Sequence, residues 1–259
     1  MRKSKAKRSA RSRERVSRRS VKQNKNKKVV VLLGDSILDN AYWNDVGKDT
    51  TAVVLRKRGI DVIDRSTDEV TSSRLLKALN NKSGIIVKKK FVKFRQDKGI
   101  PYEGKMKSNE FNVYPIPETD SRWWETPISQ RYVVLSIGGN DFALEYIINI
   151  DSIINRIKKN IKQIITKLKV EPSHVAYLIP YSPDRIMKSN FQPYLPIPFK
   201  EFYQNMVTKV SKMCESLDIK CISLSGFTNK DRLSEEKIAE PTKKGAAKIA
   251  RKISSWIKS

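Results

Sequence analysis

From residue 28 onward the chain alternates between two hydrophobic patterns. Short, nearly unbroken apolar runs fall at 28–34 (KVVVLLG), 60–64 (IDVID), 131–139 (RYVVLSIGG), 174–181 (HVAYLIPY) and 220–225 (KCISLS). Runs of this length and continuity fit strands buried on both faces. Between most of them, apolar residues recur with helical spacing. The clearest case is 151–169, where positions 153, 154, 157, 161, 164, 165 and 168 make one face and Asp151 is placed to cap the start. A second stripe spans about 200–217, and a third, about 243–258, carries Ile249, Ala250, Ile253, Trp256 and Ile257. These stripes read as core packing. The alternation predicts an α/β fold: a three-layer α/β/α sandwich around a five-stranded parallel sheet, flavodoxin-like in arrangement. In such sheets the binding crevice lies beyond the carboxyl ends of the strands.

Two stretches depart from this pattern. Residues 1–27 have no hydrophobic period and are nearly all polar, which predicts a disordered basic tail ahead of a domain at 28–259. Residues 84–130 mix basic residues with Phe91, Phe94, Tyr102, Tyr114, Trp123 and Trp124, and four prolines interrupt them. This stretch reads as an elaborated crossover near the rim of the site. Its aromatics suit either stacking beside phosphate contacts or simple anchoring of the loop to the domain.

Charge sharpens the picture. The net charge is +26, and residues 1–28 hold 14 Lys and Arg beside a single acid, Glu14. The tail thus supplies about half the excess, and the rest of the chain is basic as well. Such a balance favours nucleic acid or another polyanion as a partner, the alternative being a solubilising tail on a solvated surface. Cys214 and Cys221 are the only cysteines, too few for a disulfide framework and without metal-site spacing. No segment approaches a membrane span, and VVVLL comes too late and is too short for a signal peptide. The expectation is an intracellular protein, nuclear or packaged in a large virus particle, with no metal and no cofactor.

Candidate chemistry collects at the carboxyl ends of predicted strands. GDSILDN follows the first strand at 34–40, GGND follows the third at 138–141, and AEPTKKGAAKIA at 239–250 leads into the last helix. In order and placement these blocks resemble the SGNH (GDSL-type) hydrolase family over residues 28–259. The resemblance implies hydrolysis of an ester or acyl bond with Ser36 as nucleophile. It further implies an oxyanion hole from the Ser36 N–H, the Asn140 amide and a backbone N–H after the second strand, here at Glu69 in place of the usual glycine. Asp35, Asp39, Gly139, Asp141, Tyr181 and Ser182 fall where a pocket would be lined.

The last block departs from the family pattern of Asp, two residues, then His-Pro. Pro241 is present, but Glu240 precedes it and Lys237 stands where Asp would be. A serine hydroxyl is a weak nucleophile without a base to take its proton. His174, the only histidine, begins the fourth predicted strand, at the end away from the crevice. Glu240 is therefore either an atypical base or a structural residue such as a helix cap. Two functions stay open: a serine ester hydrolase lacking the usual histidine, or an inactive scaffold that binds nucleic acid or another polyanion through its basic tail and surface.

Overall fold

The computed structural model describes residues 28–38, 49–67, 70–82, 84–88, 105–106, 111–114, 116–144, 149–179, 198–224, 226–227 and 241–259. Its centre is a five-stranded parallel sheet. The strands are β1 (Val29–Gly34), β2 (Asp61–Asp64), β6 (Arg131–Ser136), β7 (Val175–Ile179) and β8 (Lys220–Ser223), in the order β2-β1-β6-β7-β8. This is the flavodoxin-like arrangement expected from the alternation. The three inner strands are buried at every position, which explains their unbroken apolar sequences.

Successive side chains of β1 point to opposite layers. Val29, Val31 and Leu33 pack with α2 (Ser72–Asn81), α5 (Ile150–Leu168) and α6 (Phe199–Ser216). Val30 and Leu32 pack with α1 (Thr51–Lys57) and α7 (Lys243–Lys258). Each aliphatic side chain fully buried in these layers contributes about 1.5–3 kcal/mol.

Helix α5 starts one residue earlier than predicted. Asn149, not Asp151, is its cap, accepting from the Asp151 N–H at 2.9 Å. Asp151 lies in the first turn and pairs with Lys209 of α6.

The stretch read as irregular forms a second, antiparallel sheet from β3 (Ile85–Lys88), β4 (Lys105–Met106) and β5 (Phe111–Tyr114), in the order β3-β5-β4. It is followed by α3 (Ser121–Glu125), which docks along the outer edge of β2 and at the amino end of β6. Trp123 of α3 is completely buried and donates its indole N–H to the Leu168 carbonyl at 3.3 Å. Trp124 stacks its ring under Arg131 and Lys169. These two aromatics anchor the end of the stretch at the amino-terminal edge of the sheet, while Asp120, just ahead of α3, pairs with Arg65 at the carboxyl end of β2 at 3.1 Å. Phe91, Phe94 and Tyr102 lie outside the described residues.

Candidate active site

The strand order reverses direction between β1 and β6, so the switch-point crevice opens at their carboxyl ends. The two strands approach very closely there. A Cβ on Gly34 would lie 2.3 Å from the Ser136 carbonyl oxygen, so only glycine fits. Asp35 then leaves the sheet, its N–H donating to that same carbonyl at 2.7 Å.

The turn that carries Ser36 is held from both sides. The Asp35 carboxylate accepts from the Ser136 hydroxyl at 2.6 Å and from the Ile37 N–H at 3.2 Å. The Leu38 N–H closes the turn on the Asp35 carbonyl at 3.1 Å. Asp35 is thus a buried brace and not a pocket-lining group. Ser36, at its tip, is half-buried.

The second turn comes from β6. Gly138 adopts φ +107°, a backbone region that favours glycine, and a Cβ there would also meet the Tyr177 hydroxyl at 2.5 Å. Burial, joined by nearby thiol and carboxylate groups, pushes the Tyr177 phenol well above its usual range. It stays protonated and donates to the Ile137 carbonyl, fixing this turn from below. α4 (Gly139–Leu144) begins immediately, and the Phe142 N–H returns to the Gly138 carbonyl at 2.8 Å. A Cβ on Gly139 would sit 3.2 Å from Asp35 Oδ2, so a small residue here lets the two turns nest.

Asn140, half-buried, donates from Nδ2 to the Val70 carbonyl at 3.1 Å. An amide nitrogen carries two hydrogens, so this bond orients the group and leaves a second N–H to donate. The carboxyl ends of β1 and β2 are joined in turn by the Thr67 N–H to the Gly34 carbonyl at 2.8 Å. Three strand ends therefore form one hydrogen-bonded frame.

Asp141, expected at the pocket, is instead a structural clasp. It is 1% exposed, and its carboxylate accepts from the Ser72 N–H at 2.8 Å and the Ser72 hydroxyl at 2.7 Å. Asn160 of α5 donates to the same Ser72 hydroxyl at 2.9 Å. This interior network holds the start of α2 against α4 and α5. Sequence reasoning missed Ser72, Ser136, Asn160 and Tyr177. Ser136 did leave a signal, being a polar residue inside an otherwise apolar run, and Asn160 is a polar residue in register with the apolar face of its helix.

The turn into α7 lies at the same end of the sheet. Asp49, just before α1, pairs with Lys243 at 2.7 Å and with Lys57 at 2.8 Å. Hydrogen bonds from Lys243 and then Lys57 hold its carboxyl below the usual carboxylate range. α1 runs from the crevice end back to the start of β2, so Asp49 pins the start of α7 at the crevice end. Thr242 caps α7, its hydroxyl accepting from the Gly245 N–H at 3.2 Å. The cap position is thus filled by Thr242, two residues beyond Glu240. Glu240 itself, with Lys237, Asp39, Glu69, Tyr181 and Ser182, lies outside the described residues.

His174 sits at the amino end of β7 and stacks on Tyr132 with ring centroids 4.5 Å apart. It is at the opposite end of the sheet from Ser36. Among the described residues, no three His, Cys, Asp or Glu side chains are grouped to hold a metal ion, and no helix is long and apolar enough to cross a membrane.

The family model for GDSL-like lipases and acylhydrolases matches residues 30–253, from β1 into α7. The chain belongs to this family. No curated protein matches the sequence. Solved structures share the fold at low identity. A provisionally assigned lipolytic protein of the G-D-S-L family from Desulfitobacterium hafniense is 13% identical, with TM-score 0.51, over 89% of this chain and 99% of that one. A provisionally assigned platelet activating factor protein from Streptococcus pneumonia is 12% identical, with TM-score 0.50, over 89% and 84%. A salicylyl-acyltransferase from a tetracycline biosynthetic pathway is 13% identical, with TM-score 0.50, over 87% of this chain and 52% of that one. Within the GDSL-like family frame, the first block is the Asp35-braced turn and the mid-chain block is the Gly138–Asp141 turn.

Proposed function

We propose that this GDSL-like protein hydrolyses an ester or acyl bond, with Ser36 as the nucleophile and Glu240 as its base. The observation that carries the reading is the braced frame at the switch point. Asp35 and Ser136 hold the Ser36 turn, while Val70 holds the Asn140 amide beside it. In this scheme the Ser36 oxygen attacks the acyl carbon as its proton passes to the Glu240 carboxylate. The Ser36 backbone N–H, the second Asn140 N–H and the Glu69 backbone N–H receive the developing oxyanion. The leaving alkoxide takes the proton from Glu240, and water then releases the acyl group by the same route in reverse.

Two facts favour Glu240 as base over a structural role. The helix cap is already supplied by Thr242, and the one histidine is packed on Tyr132 at the other end of the sheet. A free Glu titrates near pH 4.3 and is a weak base, so partial burial beside the serine is required to raise it.

Short-chain p-nitrophenyl esters test the reading directly. Wild type should turn over, and Ser36→Ala and Glu240→Gln should each lose roughly 10²–10⁴-fold in kcat. Equal activity in Ser36→Ala and wild type overturns it. A properly folded wild type inert toward every ester tried would favour the other reading, an inactive scaffold. That reading is supported by the missing Asp and His of the last block.

A further inference from the structure

One outer face of the sandwich presents a dense row of cations with almost no acid among them. Helices α1 and α7 pack side by side over the same side of the sheet. α7 carries Lys243, Lys244, Lys248, Arg251, Lys252 and Lys258 and has no acid along its 16 residues. α1 and its cap add Arg56, Lys57 and Arg58, again with no acid. Among the described residues of this face, the carboxylate is Asp49, held between Lys57 and Lys243. The opposite face, built from α2, α5 and α6, is basic as well, but there Asp151, Glu201 and Glu215 are interspersed with the cations and Lys209 is paired with Asp151.

From this face we infer a docking surface for the phosphate backbone of duplex DNA, engaged without regard to base sequence. The inference is independent of the hydrolase reading. α7 is about 24 Å long at 1.5 Å per residue, and a duplex presents one phosphate charge per about 1.7 Å of its axis. A straight row of exposed cations suits such a rod. The exposed large hydrophobic residues among those described are Ile86, Trp124 and Ile128, none of them on α1 or α7. Among the described residues the face therefore presents no fully exposed large apolar side chain to a membrane interface. Among the described residues it has no open aromatic platform for unstacked bases either: Trp256 of α7 packs edge-on to Tyr132, and Phe227 is buried beneath Lys248.

The first described residue, Lys28, lies at the same place. Lys28 donates to the Ile257 carbonyl in the last turn of α7. The 13 Lys and Arg of residues 1–27 precede Lys28 in the chain.

The test uses the full chain and a fluorescein-labelled 30-base-pair DNA duplex, followed by anisotropy across a salt series. The face variant is Lys244→Glu, Arg251→Glu and Lys252→Glu together. The control is Lys159→Glu, Lys162→Glu and Lys212→Glu on the opposite face, with the same change in net charge. All six side chains are exposed, and circular dichroism verifies folding. The face variant should weaken binding at least tenfold and flatten the slope of log K against log salt by about 3, at roughly 0.9 per lost phosphate contact. The control should change affinity less than threefold. Equal losses in both variants, or no loss in the face variant, overturn the inference. So does tighter binding to phosphatidylserine vesicles or to single-stranded DNA than to the duplex.

Discussion

The Ser136 hydroxyl and the Asp35 carboxylate meet at 2.6 Å, joining the ends of two parallel strands one residue before the candidate nucleophile. The same carboxylate oxygen takes the Ile37 N–H, so one buried group sets both the strand spacing and the turn. Asp35→Ala leaves a buried hydroxyl and a buried N–H unpaired, at about 1–3 kcal/mol each. Urea unfolding should show a loss of about 2 kcal/mol or more, and ester turnover should fall with it as the Ser36 turn loosens. Asp35→Asn keeps a carbonyl acceptor and should recover most of both. An Asn variant as impaired as the Ala variant would mean that the charge matters and the bracing does not.

Asp141 should behave as a structural residue. Its carboxylate serves two donors of Ser72, and Ser72 in turn accepts from Asn160. Removing one member of a buried polar network strands the others. Asp141→Ala is expected to cost about 3 kcal/mol, visible as a Tm lowered by several degrees. The double variant Asp141→Ala with Asn160→Leu should lose less than the sum of the two single changes, since both act through Ser72. Strict additivity would show that the network is not coupled.

The sheet and its helices were legible because their information is local. Strands buried on both faces read as apolar runs, and the predicted ends lie within a few residues of those observed. The largest overshoot, 131–139 against Arg131–Ser136, occurs where Gly138 takes a positive φ and Gly139 starts a helix. The antiparallel β3-β5-β4 sheet was not legible, since basic side chains and prolines obscure any alternation in that stretch. The site was legible only in part. Ser36 and Asn140 sit at strand ends, where a motif can be seen. Their supports are contacts across large sequence separations: Ser136 lies 101 residues from Asp35, and Val70 lies 70 from Asn140. No local pattern encodes such pairings. Asp141 was misplaced for the same reason, its partner Ser72 being 69 residues away.

Glu118 gives a pH signature. Burial pushes its carboxyl above the ordinary range, outweighing the opposing pull of its own backbone N–H and of the Lys167 and Lys82 charges. A raised folded pKa means that the native state binds the proton more tightly than the unfolded chain does. Native stability therefore falls as pH rises through the ordinary glutamate range and past the folded pKa. Glu118→Gln removes the buried charge and should raise Tm at pH 7. Near pH 3.5, where the wild-type carboxyl is protonated in both states, the two proteins should melt together. A Tm gain that persists unchanged at pH 3.5 would place the effect in packing and not in ionisation.

Cys214 and Cys221 should differ sharply in reactivity although their sulfurs lie 2.6 Å apart. Cys214, in the last turn of α6, is buried, while Cys221 in β8 is half-exposed. The hydrogen bond between them acts in opposite directions. It pushes the Cys214 thiol up, with burial adding to the effect, and it holds Cys221 below the usual thiol range. The thiolate is the nucleophile, so Cys221 has both the larger reactive fraction and the better access. Limited iodoacetamide treatment at pH 7.5, followed by peptide mass mapping, should find the Cys221 peptide modified first. Cys214→Ala deletes the donor, which should return the Cys221 thiol toward its ordinary range and slow its alkylation, whereas Cys214→Ser retains a donor and should slow it less. Faster labelling of Cys221 in the Ala variant than in wild type would show that access, and not the shared proton, sets the rate.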